Sequence, residues 1–173
     1  MSLTSLFENI RPIRHFDSRP VSFEQIAPIL DDAVWAPNHR LREPWRFIVA
    51  EGEAKRQLFL TLDPYRNSQL RSMISEAPLC LIVTSPTHSD EAVSNEDFAA
   101  ACCLIQNVQL LAWANGLGMA WEMTDRLNCA NFCSFSGIHP GERIAGVLGL
   151  GYFDELPEQP AQCRKPLDRV DIW

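Results

Sequence analysis

The run EDFAAACCLIQNVQLLAWAN at residues 96–115 limits what this chain can fold into more than any other feature. It predicts the longest helix of the chain, and its apolar residues cover most of the circumference rather than one stripe. Such a helix must be covered on several sides. It is expected either as a core helix or as part of a subunit interface. Gly116 supplies its stop.

The segments around it alternate in type. Leu3, Leu6, Phe7 and Ile10 predict a helix over residues 2–10, which Pro12 ends or bends. Ser22 is an expected N-cap, with Gln25 three residues on, for a helix reaching about Trp35. Its inner face would carry Phe23, Ile26, Ile29, Leu30, Ala33 and Val34. PWRFIVA at 44–50 predicts a strand ended by Glu51-Gly52, followed by helical pieces near 53–62 and 66–76. PLCLIVTS at 78–85 is apolar on both faces and predicts a central strand. A strand over 118–123, a short helix near 126–136, a Pro140-Gly141 turn and a strand over 143–152 complete the order. The tail beyond Pro157 is proline-rich and ends in an apolar VDIW, so Trp173 is expected to dock on something. This order is that of a mixed α+β fold in a single domain spanning residues 1–173.

Composition removes several classes of function. The formal net charge of −7 speaks against a general nucleic-acid binder, because phosphate backbones demand a basic surface. No run of about 18 apolar residues predicts a membrane span. The first residues lack the apolar core of an export signal, and a cytoplasmic location is expected. The six cysteines, at 80, 102, 103, 129, 133 and 163, form no CxxC. Their spacing does not support a metal site, and without an export signal a disulfide framework is not expected.

No nucleophile–base pattern is present: GxSxG, HExxH, a P-loop and GxGxxG after a strand are all missing. The four histidines are scattered. What the chain offers is a set of anion-binding candidates. Arg11 and Arg14 flank Pro12 after the first helix, His39 and Arg40 follow Ala36-Pro37, and Arg164 and Lys165 lie in the tail. The planar guanidinium suits phosphate because its fork makes two parallel charge-assisted hydrogen bonds.

Four segments in order then resemble the FMN-dependent nitroreductase family, especially its compact single-domain bacterial members. They are IRPIRHFDSRPV (10–21), WAPNHRLREPWRFIVAEG (35–52), NGLGMAW (115–121) and the ending ERIAGVLGLGYF with CRKPLDRVDIW. The resemblance implies a nitroreductase-like α+β fold. Its central sheet would be mixed but mostly antiparallel, flanked by helices. It also implies a two-fold homodimer with exchanged C-terminal segments and FMN between the subunits. The implied activity is ping-pong, NAD(P)H-driven reduction of nitroaromatics, quinones or related small-molecule acceptors, with the flavin carrying the hydride. No catalytic side chain and no metal are then needed.

By the same resemblance, Arg11, Pro12 and Arg14 with Arg164 would surround the FMN phosphate. His39 and Arg40 would lie along the ribityl chain or ring edge. Trp121, Glu122 and Met123 would run beside the flavin ring. The chain departs from the family pattern at Ile10, Pro12, Glu122 and Thr124. Pro12 removes a hydroxyl and an N–H from the phosphate segment. Glu122 places a carboxylate where a basic residue is common. These departures motivate an alternative: a nitroreductase-fold dimer with weakened or lost FMN chemistry, acting as a binding or regulatory protein.

Overall fold

A computed structural model describes residues 2–123, 130–158 and 170–171. Four strands form one antiparallel sheet in the order β1-β2-β4-β3. They are β1 (Arg46–Glu51), β2 (Leu79–Pro86), β3 (Gly118–Glu122) and β4 (Glu142–Gly151). The helices are α1 (Leu3–Asn9), α2 (Phe23–Ala33), α3 (Gly52–Leu60), α4 (Ser68–Glu76), α5 (Glu91–Ala114) and α6 (Ala130–Ser136). The architecture is α+β as expected, a sheet covered by helices on both faces. One detail differs: every described strand pairing is antiparallel, and the parallel element is a single bridge between Pro12 and Met119.

Alternation along the central strands divides the core into two layers. Leu79, Leu81 and Val83 of β2, with Leu148 and Leu150 of β4, face α2 and α5. Cys80 and Ile82, with Val147, face Leu58, Leu70, Met73, Ile74 and Phe132 of the other helices. β2 is therefore apolar on both sides because both sides are covered. Burial also pushes the Cys80 thiol up to about 12, so it behaves as a small core residue.

Helix α5 starts five residues before its predicted position. Asp90 caps it by accepting from the Ala92 N–H at 2.9 Å. Its first turn is polar and outside the apolar run, so periodicity could not reveal it. Among the described residues α5 is also long and apolar enough to cross a membrane, by length and composition alone. That qualifies the expectation of no such segment. Here Ala101, Leu104, Ile105, Val108 and Ala112 are buried in the core layer formed with α2 and the sheet.

Ser22 begins α2 as expected, its backbone N–H donating to Gln25 Oε1 at 2.8 Å. β1 opens at Arg46 rather than Pro44, since proline has no N–H for the ladder. The predicted helix near 126–136 is seen as Ala130–Ser136, and residues 124–129 lie outside the described set.

Two glycines permit close contacts that position the site. A Cβ on Gly118 would fall 2.5–2.9 Å from the Ile13 side chain. One on Gly146 would fall 2.2 Å from Trp121 Nε1. The first contact seats the N-terminal segment on β3. The second lets the Trp121 indole lie across β4, where its Nε1–H donates to Ala145 O at 3.3 Å.

At the end of the sheet where β4 begins, Arg46 forks onto Glu142, with Nε to Oε1 at 2.7 Å and Nη2 to Oε2 at 2.6 Å. Thr84 Oγ1 and the His139 N–H also donate to this carboxylate. These hydrogen bonds, Arg46's above all, hold the Glu142 pKa down to about 2. A depressed folded pKa stabilises the fold above the unfolded value near 4.5. The contribution disappears as pH falls from about 4.5 to about 2. Glu142→Gln is expected to cost roughly 1–3 kcal/mol at pH 7 in urea unfolding and to flatten the profile below pH 4.5. Comparing the two proteins separates Glu142 from Glu53, which exposed Arg56 also holds at about 2.

Candidate functional site

The segment after α1 is laid along β3. The Ile13 N–H donates to Met119 O at 3.0 Å, and the Asp17 N–H donates to Tyr152 O at 2.9 Å. Ile13 is 1% exposed, so this segment is anchored while Pro12 and Arg14 stay at the surface. Residues 12–17 form one wall of a cleft of about 510 Å³, and residues 154–157 form the other.

The predicted residues behave differently within this frame. Arg11 turns back onto α1, donating from Nη1 to Glu8 O at 2.8 Å and Ile10 O at 2.7 Å. It thus satisfies carbonyls at the helix C-terminus, a favourable place for a cation. Arg14 Nη1 donates to Glu122 Oε1 at 2.8 Å. These two residues are 108 apart in the chain, and nothing in the sequence announced their pairing. Asp17, Asp154 and Glu155 also line the cleft. Its described walls are therefore richer in carboxylates than a phosphate site would be.

Trp121 and Glu122 alternate across β3. The Trp121 indole packs toward α5 and the core, so its backbone, not its ring, is the part available at the surface. Glu122 faces the other way and borders a second, polar pocket of about 290 Å³ against the first turn of α4. Met123 follows at 59% exposure. Arg164 lies outside the described residues, as does Lys165.

Asn67 was not singled out from the sequence. It stands just before α4, is 6% exposed, and lines the pocket shared with Glu122. Its Nδ2 is buried without a hydrogen-bond partner among the described residues. A buried unsatisfied amide is costly unless something completes it. A ring carbonyl or a sugar-like hydroxyl of a bound ligand would do so. Its sequence signal was weak: an asparagine near the start of the helix predicted over 66–76.

His39 and Arg40 lie at the same end of the sheet as Glu122, in the connection that leads into β1. Both are exposed, and neither side chain has a hydrogen-bond partner among the described residues. The backbone there is unusual. Arg40, Leu41 and Glu43 have φ of 55°, 54° and 48°. The left-handed region costs an ordinary residue about 1–2 kcal/mol. Strain of this kind persists where surrounding structure enforces it, and it gathers at functional sites.

The residues fit a flavin nucleotide in kind. An arginine-bearing segment is fixed along a strand edge, and, among the described residues, an amide without a partner lines an adjacent polar pocket and two basic side chains without hydrogen-bond partners stand at the same sheet end. The Arg14–Glu122 pair opposes a phosphate, as do the cleft carboxylates Asp17, Asp154 and Glu155.

The Nitroreductase family model matches residues 10–73 and 66–152. YfhC of Bacillus subtilis, a protein assigned as an NAD(P)H nitroreductase, is 35% identical over 168 residues, covering 90% of this chain and 87% of that protein. The crystal structure of a nitroreductase-like family protein from Bacillus cereus superposes with a TM-score of 0.88 at 31% identity, covering 100% of this chain and 96% of that one. The FMN and NADPH-dependent nitroreductase NfnB from a sphigopyxis strain shares the fold, with a TM-score of 0.80 at 18% identity over 100% and 99% of the two chains. With its fold, its ordered motifs and these matches, the chain belongs to the nitroreductase family.

Proposed function

We propose that the protein is an FMN-dependent NAD(P)H oxidoreductase that reduces nitroaromatics, quinones or related acceptors by a ping-pong route. The observation that carries this reading is the N-terminal segment, fixed along β3 by the Ile13–Met119 hydrogen bond beside Glu122 and near the orphaned Asn67. The chemistry supplied by bound FMN is hydride exchange, first from NAD(P)H and then to the acceptor.

In this reading the protein binds, orients and tunes. Arg14 would hold the phosphate, with Arg164 of the tail expected beside it and Arg11 supporting the segment from α1. His39 and Arg40 would serve the ribityl chain or ring edge. The backbone of residues 121–123 would border the ring, and Asn67 Nδ2 would donate to the ligand. The working unit would be a homodimer with a flavin between subunits. Trp35 at 87% and Leu41 at 83% exposure are large apolar surfaces consistent with a partner. The test is direct. Purified protein should be yellow, or become so with FMN, and should oxidise NAD(P)H with a nitroaromatic or quinone. Protein that stays colourless after FMN addition sinks the reading.

The Arg14–Glu122 pair favours the second reading, a dimer of this fold with weakened FMN chemistry. A carboxylate on Arg14 competes with phosphate for the same guanidinium. Glu122→Gln keeps the shape and removes the charge. FMN is expected to bind the variant about five- to tenfold more tightly, the size of a part-exposed ion pair. Riboflavin, lacking the phosphate, should gain much less. Equal gains for both ligands would show that Glu122 does not act on the phosphate.

A further inference from the structure

Asp97 lies in the first turns of α5 and is 1% exposed. Both of its oxygens are engaged. Oδ1 accepts from Arg42 Nε at 2.9 Å and Nη2 at 2.6 Å. Oδ2 lies 2.8 Å from His88 Nε2. Arg42 Nη2 also reaches Glu96 Oε2 at 3.1 Å. A buried carboxylate held on both sides is a rigid point.

Arg42 belongs to the segment with left-handed φ at Arg40, Leu41 and Glu43. None of these is a glycine or asparagine, so local preference opposes the conformation. Leu41 is 83% exposed, so its own packing cannot impose it. The tethers are polar instead. At one end the Glu43 N–H donates to Asn38 Oδ1 at 3.0 Å, and Asn38 Nδ2 donates to Ala36 O at 3.2 Å. In the middle, Arg42 is fixed to α5 through Asp97. Freed of that tether, residues 40–43 would relax toward ordinary backbone angles and carry His39 and Arg40 with them.

We propose that Asp97 is a positioning residue: clamped between Arg42 and His88, its carboxylate holds residues 40–43 in their strained form and so presents His39 and Arg40 to the flavin. The presentation half rests on the function proposed above. The anchoring half does not.

Asp97→Asn tests it, together with Arg42→Gln, which cuts the same tether from the more accessible side and leaves Asp97 with His88. The first readout is hydrogen exchange of the apo-protein. Either variant should raise exchange in peptides covering 36–45 about tenfold, while peptides within 100–112 and β2 stay as in the wild type. The second is FMN titration by fluorescence quenching, where affinity should fall about tenfold. Placing Leu41→Gly and Glu43→Gly in the Asp97→Asn background should recover part of that loss, because glycine accepts positive φ without the anchor. A merely structural carboxylate would show no such rescue. Unchanged exchange over 36–45 in both variants, or a rise shared by the whole protein, overturns the anchor. Faster exchange with unchanged FMN affinity overturns the presentation. Wild-type protein that fails to bind FMN removes the flavin reading and the presentation with it, while the exchange measurement still decides the anchor.

Discussion

Gly118→Ala is expected to separate the N-terminal segment from the sheet and to weaken FMN binding at least about a hundredfold. The new methyl would meet Ile13 Cγ1, Cβ and Cγ2 at 2.5, 2.6 and 2.9 Å. Cβ is fixed to the backbone, so no rotamer change clears it. Either β3 or residues 12–14 must move. Ile13 is held through one hydrogen bond to Met119, whereas β3 is laddered to β4 along its length. The segment is therefore the part that yields. Overpacking of this kind costs roughly 1–3 kcal/mol. Thermal unfolding measures that cost, and flavin titration measures the loss of Arg14 from its place. A variant with wild-type FMN affinity would show that residues 11–14 do not form the phosphate site.

Gly146→Ala should act on stability more than on the ligand. Its Cβ would lie 2.2 Å from Trp121 Nε1, 2.7 Å from Cδ1 and 3.1 Å from Ile105 Cδ1. An indole has no flexible end to fold away, and Ile105 is fully buried on α5. The ring must leave β4, losing the hydrogen bond to Ala145 O and opening a void in the layer between sheet and α5. We expect about 3 kcal/mol or more, a large part of a typical stability of about 5–15 kcal/mol. Denaturant unfolding followed by tryptophan fluorescence reads both the midpoint and the altered indole environment. An unchanged midpoint would mean that β3 shifts cheaply, against its ladder with β4.

Much of this fold was legible because its signals are local. β2 announced a central strand through apolar residues at both parities, and the structure covers both of its faces. Ser22 and Gln25 marked the start of α2 within four residues of sequence. The site was less legible because its decisive contacts are not local. Arg11 and Arg14 look equivalent in sequence, yet one turns back on its own helix and the other pairs with Glu122. Trp121 read as a flavin neighbour, and nothing local in the sequence showed that Gly146 offers its ring a place on the core side. Asp97 stands in sequence as one polar residue at the edge of an apolar run. Its partners, Arg42 and His88, come from two loops that only the folded chain brings together. The positive φ values at 40, 41 and 43 carry no glycine signal, since tertiary tethers rather than residue preference impose them.

The parallel bridge between Pro12 and Met119 bears on how this sheet meets other chains. An exposed strand rim offers unpaired N–H and C=O groups to any extended peptide. Here the protein's own N-terminal segment lies against the rim of β3, and Pro12 has no N–H to offer an outsider. β1 has no such guard among the described residues. Among the described residues the sheet is therefore one-sided toward strangers: a strand arriving from outside finds β3 guarded at Met119 and no segment laid against β1.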